Sequence, residues 1–352
     1  MRPALAPFPT VYGSNGMVCA ADHLAAEAGV AMLREGGSAA DAAVAASAVL
    51  AVTAQHMCGM GGDLFAVADH AGEVTALNAS GRAGSGADPN RLRAEGRDSM
   101  PARGDVRSVP VPGCVDGWLA LHARYGRLPL ARVVEPARGY AEHGFPASAT
   151  LAASVPAVAR LPEALDYTEG GRLQPGRLVR RPGVARVLAD VVAGGRDAFY
   201  RGEFGTALVE MGRGEYVESD LTRPLADWAD PLCLEAWGHR IWTAPPNSQG
   251  YLTLSGAWIA SGLPLPEDAD DPAWAHYLVE AARLAGYDRL DVLYEGADGP
   301  SLLGPGRLEP RRRAIDADRA AVLADAFAGG GTVAVVAVDE DRSGVALLQS
   351  NA

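Results

Sequence analysis

The amino-acid sequence predicts a fold of the α+β class, in which helices pack on antiparallel strands. Three observations support this prediction: an alanine-rich helix pair near the N-terminus, a strand pair over residues 63–79, and a second strand pair over residues 332–350. Short turns connect both strand pairs, as antiparallel hairpins require. The length of 352 residues suggests two domains, although one large unit is equally compatible.

Two helices are predicted before the first strands. Apolar residues recur near helical spacing within residues 22–35, and two glycines end the pattern. Ser38, followed three residues later by Asp41, is typical of a capping box at the start of a second helix. That helix is so rich in alanine that we expect it to pack closely against other elements.

The remaining elements follow from hydrophobic spacing and from the positions of glycine and proline. A glycine turn over residues 55–62 leads into the first hairpin, and residues 81–112 form a polar loop tract. Further helices are predicted within residues 115–142, 151–200, 251–259, 274–285 and 315–327, with a strand over 237–246 and a flexible connector over 297–313. The last hairpin pairs residues 332–339 with 344–350, and its first residue is Thr332.

The composition excludes several enzyme classes. The sequence contains no lysine, so all 31 of its Lys and Arg side chains are arginine. A Schiff-base or pyridoxal-phosphate lysine, the lysine of a Walker loop and the lysine of a protein kinase are therefore absent. Because arginine keeps its proton in proteins, it can bind an anion but cannot act as a base or nucleophile.

Charge and cysteine usage indicate the compartment. The net charge of −12 argues against a nucleic-acid or anionic membrane partner. No signal-peptide core and no apolar stretch of roughly 20 residues is present, which predicts a cytoplasmic location. The four cysteines lie far apart without a CxxC pair, so we expect buried thiols, not a zinc site or disulfides.

Common catalytic and metal-binding patterns are missing. The sequence lacks HExxH, GxSxG and GxxxxGK[ST], and its histidines show no metal-ligand spacing. One route to a nucleophile remains, because a threonine after a flexible glycine run, such as Thr332, can attack the preceding peptide carbonyl. Cleavage there frees an α-amine with a pKa of about 7.7–8.0, which can act as the base. From these residues alone, an ordinary loop leading into a β-branched strand residue is the better explanation of the pattern.

Five segments occur in a fixed order along the chain. They are GMVCAADHLAAEAGVAMLREGGSAADAAVAASAVLAVTAQHMCGMGGD (16–63), VPVPGCVDGWLALHARYGRLPLARVVEPARGYAEHGFPAS (109–148), GRDAFYRGEFGTALVE (195–210), APPNSQGYLTL (244–254) and AHYLVEAARLAGYDR (275–289). Together with the GGGT sequence before the last hairpin, they resemble the γ-glutamyltransferase family of N-terminal-nucleophile hydrolases. The resemblance is specific to the family and not to a substrate.

The resemblance implies an αββα sandwich of the N-terminal-nucleophile hydrolase type, of which this sequence contains mainly the large-subunit part. It implies that the protein cuts its own bond between Gly331 and Thr332, and that Thr332 is both the processing and the catalytic nucleophile. Ser350 matches a second hydroxyl beside the threonine, and Asn351 lies one residue before an expected asparagine. Arg82, in SGRA, occupies the place of the arginine that binds the substrate's α-carboxylate.

The implied activity is the cleavage of γ-glutamyl or similar carboxylate-bearing amides through a threonyl acyl-enzyme, with transfer to water or an amine. It requires no metal or organic cofactor. We expect residues 1–331 to be large-subunit-like and residues 332–352 to start a small-subunit-like region, within one structural domain when complete.

The family continues well beyond the nucleophile, whereas the printed sequence does not. We therefore expect the remainder to follow in the same precursor or to come from a separate chain. The alternative is a catalytically inactive large-subunit-like fragment that acts as a binding or assembly partner. With one hairpin representing the second half of the sandwich, we also expect an exposed sheet edge.

Overall fold

A computed structural model describes residues 10–101, 104–168, 171–323 and 331–351 of the protein. The strands are β1 Met17–Ala20, β2 Asp63–His70, β3 Glu73–Ala79, β4 Phe145–Pro146, β5 Leu178–Val179, β6 Asp227–Ala229, β7 Leu232–Ala236, β8 His239–Thr243, β9 Thr332–Val338 and β10 Gly344–Ser350. The helices are α1 His23–Arg34, α2 Ala39–Thr53, α3 Pro89–Ala94, α4 Cys114–Tyr125, α5 Leu130–His143, α6 Ala149–Ser154, α7 Pro182–Tyr200, α8 Glu203–Gly212, α9 Glu218–Thr222, α10 Tyr251–Ser261, α11 Pro272–Gly286, α12 Arg289–Val292, α13 Gly299–Leu302 and α14 Pro305–Arg313.

The main sheet places the C-terminal hairpin at its centre. Its six strands have the order β1-β9-β10-β2-β3-β6, and the neighbouring strands are antiparallel. Strand β9 pairs with β1, and β10 pairs with β2. The expected exposed edge is therefore wrong for most of the hairpin, because β2 pairs with all of β10 and β1 pairs with residues 335–338 of β9, while residues 332–334 pair only with β10 among the described residues.

The two faces of this sheet differ in burial. Val333, Val335 and Leu347 point to the inner face, where they are buried in the main apolar core. Helix α2 packs on this face, and all 15 of its residues are buried, as its alanine content led us to expect. On the outer face, Val336 is 46% exposed and Leu348 is 47% exposed. The hairpin thus has one covered face and one open apolar face.

Buried polar side chains hold the hairpin to the helix layer. Gln349 is fully buried, and its Oε1 accepts a hydrogen bond from Ser47 Oγ of α2 at 2.7 Å. Its Nε2 donates to the carbonyl oxygen of Gly59 at 3.2 Å. At the other end of the hairpin, the buried carboxylate of Asp339 accepts the backbone N–H of Ala39, the first residue of α2, at 3.1 Å. Both ends of the hairpin are therefore fixed to the same part of the fold.

Most of the predicted elements are confirmed. These include both N-terminal helices with the Ser38 capping box, both long hairpins, the helix pair α4 and α5, strand β8, and helices α10 and α11. Within residues 151–200, helix is interrupted by 3-10 turns and by β5 before α7 begins. Among the described residues, no helix is both long and apolar enough to cross a bilayer.

The predicted helix over residues 315–327 is wrong for residues 315–323, which have no helical turns, while residues 324–327 lie outside the described residues. Tertiary hydrogen bonds replace helical ones in this segment. The carboxylate of Glu280 on α11 accepts the backbone N–H of Ala321 at 2.6 Å, and Arg283 donates to the carbonyl oxygen of Ala321 at 2.9 Å. The hydrogen bonds to α11 therefore determine the conformation of residues 315–323, and the apolar spacing of this segment does not.

The predicted flexible connector over residues 297–313 is also wrong, because it contains α13 and α14. Pro305 occupies the first turn of α14, where the missing N–H has no helical partner to lose. Arg311 near its end donates to the carbonyl oxygen of Leu284 at 2.7 Å and pairs with Asp288. The arginines in the last turn of α14 interact favourably with the helix dipole, and the ion pair between Arg311 and Asp288 adds to this. Both effects stabilise a helix that the proline content of the segment argues against.

The cysteine prediction is correct for two of the four residues. Cys58 and Cys114 are buried, and all four cysteines are free thiols. Cys19 is exposed because it lies on the outer face of the edge strand β1, and Cys233 is only partly buried on β7. The expectation that all four are buried is therefore wrong for these two.

We predict that Ser47→Ala lowers the free energy of unfolding by about 1–3 kcal/mol, because two buried groups lose a partner. These groups are the amide oxygen of Gln349 and the indole N–H of Trp118, which donates to Ser47 Oγ at 2.8 Å. Chemical denaturation of the purified full-length protein measures the loss. Ser219→Ala, at an exposed position, is the control and should change stability by less than about 0.5 kcal/mol. Equal losses in the two variants would contradict the assigned role of Ser47.

Candidate active site

Thr332, Ser350 and Asp63 form a row across three neighbouring strands. Thr332 begins β9 and lies opposite Ser350, the last residue of β10, and Ser350 in turn lies opposite Asp63, the first residue of β2. Residues directly opposite each other in antiparallel strands project from the same face. All three side chains therefore lie on the outer face of the sheet, at one end of it.

The two hydroxyl groups are connected to the carbonyl group of the predicted cleavage site. Thr332 Oγ1 donates to Ser350 Oγ at 3.2 Å, and Ser350 Oγ donates to the carbonyl oxygen of Gly331 at 2.6 Å. A donor on a carbonyl oxygen stabilises the negative charge that develops there when a nucleophile attacks the carbon. The structure thus brings the three residues Gly331, Thr332 and Ser350 together in one hydrogen-bonded chain.

The row opens into a cleft of about 1300 Å³. The outer face of the sheet contributes Phe65 and Leu348 to its lining, and Trp242 comes from β8. Two arginines, Arg82 and Arg223, bring positive charge to the same space. Apolar lining with a few charged groups is typical of a site for a small organic molecule. The described residues contain no group of three His, Cys, Asp or Glu side chains that could hold a metal ion.

The glycine turn over residues 55–62 packs against the end of β10. A Cβ atom at Gly62 would lie 1.8 Å from the carbonyl oxygen of Ser350, so only glycine permits this approach. Asn351 also contacts the turn, because its Nδ2 donates to the carbonyl oxygen of Gln55 at 2.8 Å. Asn351 is not among the residues that line the cleft, unlike Thr332, Ser350 and Arg82. The structure thus brings three of the predicted side chains into the cleft and engages the fourth with the turn.

Asp63 was not predicted from the sequence as a site residue. Burial raises the pKa of its carboxyl group to about 6, although the backbone N–H groups of Asp63 and Ser350 donate to it and oppose the shift. No cationic side chain of the described residues contributes to this pKa. A carboxyl group of this pKa can gain or lose a proton near neutral pH, which is common in active sites. The only sequence signal was an acidic residue directly after a glycine turn.

Arg82 is fixed at the rim of the site by its backbone. Its N–H donates to the carbonyl oxygen of Val111 at 3.2 Å, and the N–H of Val111 donates back at 2.8 Å. Gly81 before it has a φ of +85°, and a Cβ there would lie 2.1 Å from the carbonyl oxygen of Val111. The guanidinium group pairs with Asp227 of β6 and donates to the carbonyl oxygen of Gly81 at 2.7 Å. Asp227 was not predicted, because nothing in the sequence places β6 beside β3.

A small amide network joins the loop after β8 to the end of β3. Asn78 Nδ2 donates to Asn247 Oδ1 at 3.0 Å, and Asn247 Nδ2 donates to Ser80 Oγ at 3.1 Å. Asn247 lies in the APPNSQGYLTL segment (244–254), one of the five that carry the family resemblance. This network positions the chain directly before Arg82.

Comparisons with known proteins identify the family of this chain. A family profile described as gamma-glutamyltranspeptidase matches residues 25–352. The chain is 34% identical to the glutathione hydrolase-like YwrD proenzyme of Bacillus subtilis (strain 168), with 97% of this chain and 67% of that protein covered. It is also 34% identical to the oxamate amidohydrolase proenzyme of Klebsiella pneumoniae subsp. pneumoniae, with 96% and 67% covered. The chain thus spans about two thirds of the length of these relatives.

Solved structures show the same fold. The cephalosporin acylase from Bacillus halodurans matches with a TM-score of 0.87 and 31% identity, over 99% of this chain and 68% of that chain. The gamma-glutamyltranspeptidase of Helicobacter pylori matches with a TM-score of 0.81 and 24% identity, over 89% and 95% of the two chains, which supports the fold alone. On the family profile and these likenesses, the chain belongs to the gamma-glutamyltranspeptidase family, an enzyme family with the fold of N-terminal-nucleophile hydrolases.

Proposed function

We propose that the protein is an autoprocessing N-terminal-threonine amidohydrolase or acyltransferase that acts on γ-glutamyl or similar carboxylate-bearing amides. The observation that carries the proposal is the hydrogen-bonded connection from the Thr332 hydroxyl through Ser350 to the carbonyl oxygen of Gly331. The relatives in Bacillus subtilis and Klebsiella pneumoniae are named as proenzymes, which supports a precursor that is cut.

Self-cleavage begins when Thr332 Oγ1 attacks the carbonyl carbon of Gly331. The Ser350 O–H stabilises the developing oxyanion on Gly331, and the proton of the Thr332 hydroxyl passes to the Thr332 nitrogen, which leaves as an amine when the C–N bond breaks. Expulsion of the Thr332 nitrogen turns the peptide bond into an ester between Gly331 and the threonine side chain. Water then hydrolyses this ester, which leaves a carboxylate on Gly331 and a free amine and hydroxyl on Thr332.

The new α-amine of Thr332 is the base of the catalytic cycle. It takes the proton of the Thr332 hydroxyl as that oxygen attacks the substrate amide, and it returns the proton to the departing amine. Water or a second amine then releases the acyl group from the threonine. Because the chain has no lysine, N-termini are the only amines that it offers for this task.

Substrate binding is assigned to the cleft around this nucleophile. Arg82 binds the carboxylate of the acyl group, and Phe65 and Trp242 contact its apolar parts. Asn351 binds the substrate only if its amide breaks the hydrogen bond to the carbonyl oxygen of Gln55 and donates to the substrate instead.

We further propose that a small-subunit-like portion covers the outer face of the sheet. Residues 1–331 then belong to the large-subunit-like region and residues 332–352 begin the small one, with the remainder in the same precursor or in a separate chain. Support comes from the exposed side chains of Val336 and Leu348, which a second sheet would bury. The alternative, an inactive chain that binds a partner through this face, rests on the same exposure and predicts no cleavage at Thr332.

We predict that the full-length wild-type protein is recovered as two pieces cut between Gly331 and Thr332, because Ser350 already contacts both the Thr332 hydroxyl and the carbonyl oxygen of Gly331. Thr332→Ala should stay uncut, and Thr332→Ser should still be cut, since serine keeps the hydroxyl. Intact-mass measurement distinguishes the three. An uncut wild-type protein with native circular dichroism would exclude self-processing and favour the inactive alternative.

We predict that Ser350→Ala slows self-cleavage by about 100-fold, the effect of losing one oxyanion donor. A time course of intact mass after synthesis measures the rate. Ser301→Ala, at an exposed position on α13, is the control and should be cut at the wild-type rate. Cleavage of Ser350→Ala at the wild-type rate would show that its hydroxyl has no part in the reaction.

We predict that Asp63→Asn stabilises the protein at pH 8 by up to about 3 kcal/mol, because the folded-state pKa of about 6 lies above the ordinary value of 3.8. Burial disfavours the carboxylate, so this destabilisation is full above pH 6 and absent below about pH 4. Urea denaturation at pH 4, 6 and 8, in the uncut Thr332→Ala background, measures the change. The exposed Asp190→Asn is the control, and a stabilisation by Asp63→Asn that does not vary with pH would refute the assigned pKa.

A further inference from the structure

We propose that Asp227 is a positioning residue that holds Arg82 ready for a substrate carboxylate, and that it thereby determines specificity for carboxylate-bearing amides. The inference rests on the proposed function, in which Arg82 binds that carboxylate. It assigns a role to the one acidic side chain that pairs with Arg82 among the described residues.

The contact between the two side chains is end-on. A single pair of atoms, Arg82 Nη2 and Asp227 Oδ2, makes the contact, and Nη1 of Arg82 donates to the carbonyl oxygen of Gly81 at 2.7 Å. A guanidinium group has five N–H donors, so these two bonds leave three for a ligand. A carboxylate that binds through two parallel bonds needs two of them. Asp227 therefore fixes the orientation of Arg82 and still leaves enough N–H donors to bind a second carboxylate.

Both partners are held by backbone pairing at the same end of the sheet. Arg82 is bridged to Val111 in both directions, and Asp227 lies opposite Asn78 in the ladder between β3 and β6. The Asn78 side chain accepts the N–H of Ser80 at 3.0 Å, which fixes the turn that leads to Arg82. The guanidinium is thus held from its own backbone and from a neighbouring strand.

Holding the guanidinium in this way has a physical benefit for binding. An arginine side chain loses rotamer entropy when it is fixed in one position. The pairing with Asp227 removes part of that loss before substrate arrives, which is preorganisation. The side chain of Arg82 is 35% exposed and that of Asp227 is 59% exposed, so the pair alone adds little stability, and its effect should appear in binding.

The competing interpretation is that Asp227 blocks Arg82 and excludes carboxylates. It predicts the opposite sign, because removal of the blocking charge would strengthen carboxylate binding. An end-on contact favours positioning, since a blocking carboxylate would engage the guanidinium through two bonds. Substitution of Asp227 distinguishes the two interpretations.

The test compares γ-glutamyl p-nitroanilide with its α-methyl ester, which lacks the negative charge. In the full-length processed enzyme, Asp227→Asn should raise KM for the acid by about three- to tenfold, with kcat within about twofold. KM for the ester should not change. Asp227→Glu should restore part of the binding of the acid. Asp230→Asn removes an exposed carboxylate three residues along the chain and should behave as wild type.

Three outcomes would overturn the inference. A lower KM for the acid in Asp227→Asn would mean that Asp227 competes with substrate. Equal increases for the acid and the ester would indicate a general structural effect, and no increase would mean that the pair has no role in binding. Intact mass should show normal cleavage at Thr332 in every variant that is compared.

A binding measurement separates failure of this inference from failure of the proposed reaction. Calorimetric titration of L-glutamate into the uncut Thr332→Ala protein requires no turnover. If wild type cleaves neither anilide but Thr332→Ala binds L-glutamate and the added Asp227→Asn weakens that binding, the reaction is wrong and the positioning role stands. Turnover with an unchanged KM would leave the reaction standing and reject the role of Asp227. The absence of both binding and turnover would count against both.

Discussion

The position of the candidate nucleophile depends on one buried amide, the side chain of Gln349. Its amide oxygen accepts a hydrogen bond from Ser47 and its amide nitrogen donates one to Gly59. The side chain can make both hydrogen bonds only when it points towards the helices. Side chains alternate along a strand, so fixing Gln349 inward forces Ser350 outward, opposite Thr332. A slip of one residue would bury the hydroxyl group and expose the amide. The register of β10, set by a side chain that points into the helix layer, is thus what places Ser350 beside Thr332.

The acidic side chains of the site face two different electrostatic environments. Asp227 has a cationic partner and lies near solvent, whereas Asp63 is largely buried with no cation to offset its burial. A buried carboxyl group without a counter-charge opposes folding at neutral pH, and such groups persist mainly where a ligand or a reaction uses them. The same sheet end also requires glycine at position 62, where no side chain fits against Ser350. Function at this end therefore limits both the charge and the size of the neighbouring residues.

Local patterns predicted the elements that depend on local physics. The Ser38 capping box, the buried alanine helix and the two hairpins are specified by residues close in sequence, and the structure confirms them. Thr332 was ambiguous from its neighbours alone, and the resemblance to a family made it a candidate. Asp63 and Asp227 were missed because their roles depend on which strands are neighbours in the sheet. The hydrophobic periodicity of the sequence does not reveal that strand order. The helix expected after residue 315 failed for the same reason, since Glu280 and Arg283 on a distant helix determine that segment.

The central place of the last hairpin has a consequence for how the chain folds during synthesis. Strand β1 begins at residue 17 and pairs with β9, which is made more than 300 residues later. Until β9 and β10 are synthesised, β1 has no strand partner, β2 has only β3, and one side of α2 has nothing to pack against. Contacts of such long sequence separation form slowly and leave apolar surface open in the meantime. The main sheet of this protein can therefore be completed only after residue 350 has been synthesised, and the nascent chain exposes apolar surface until then.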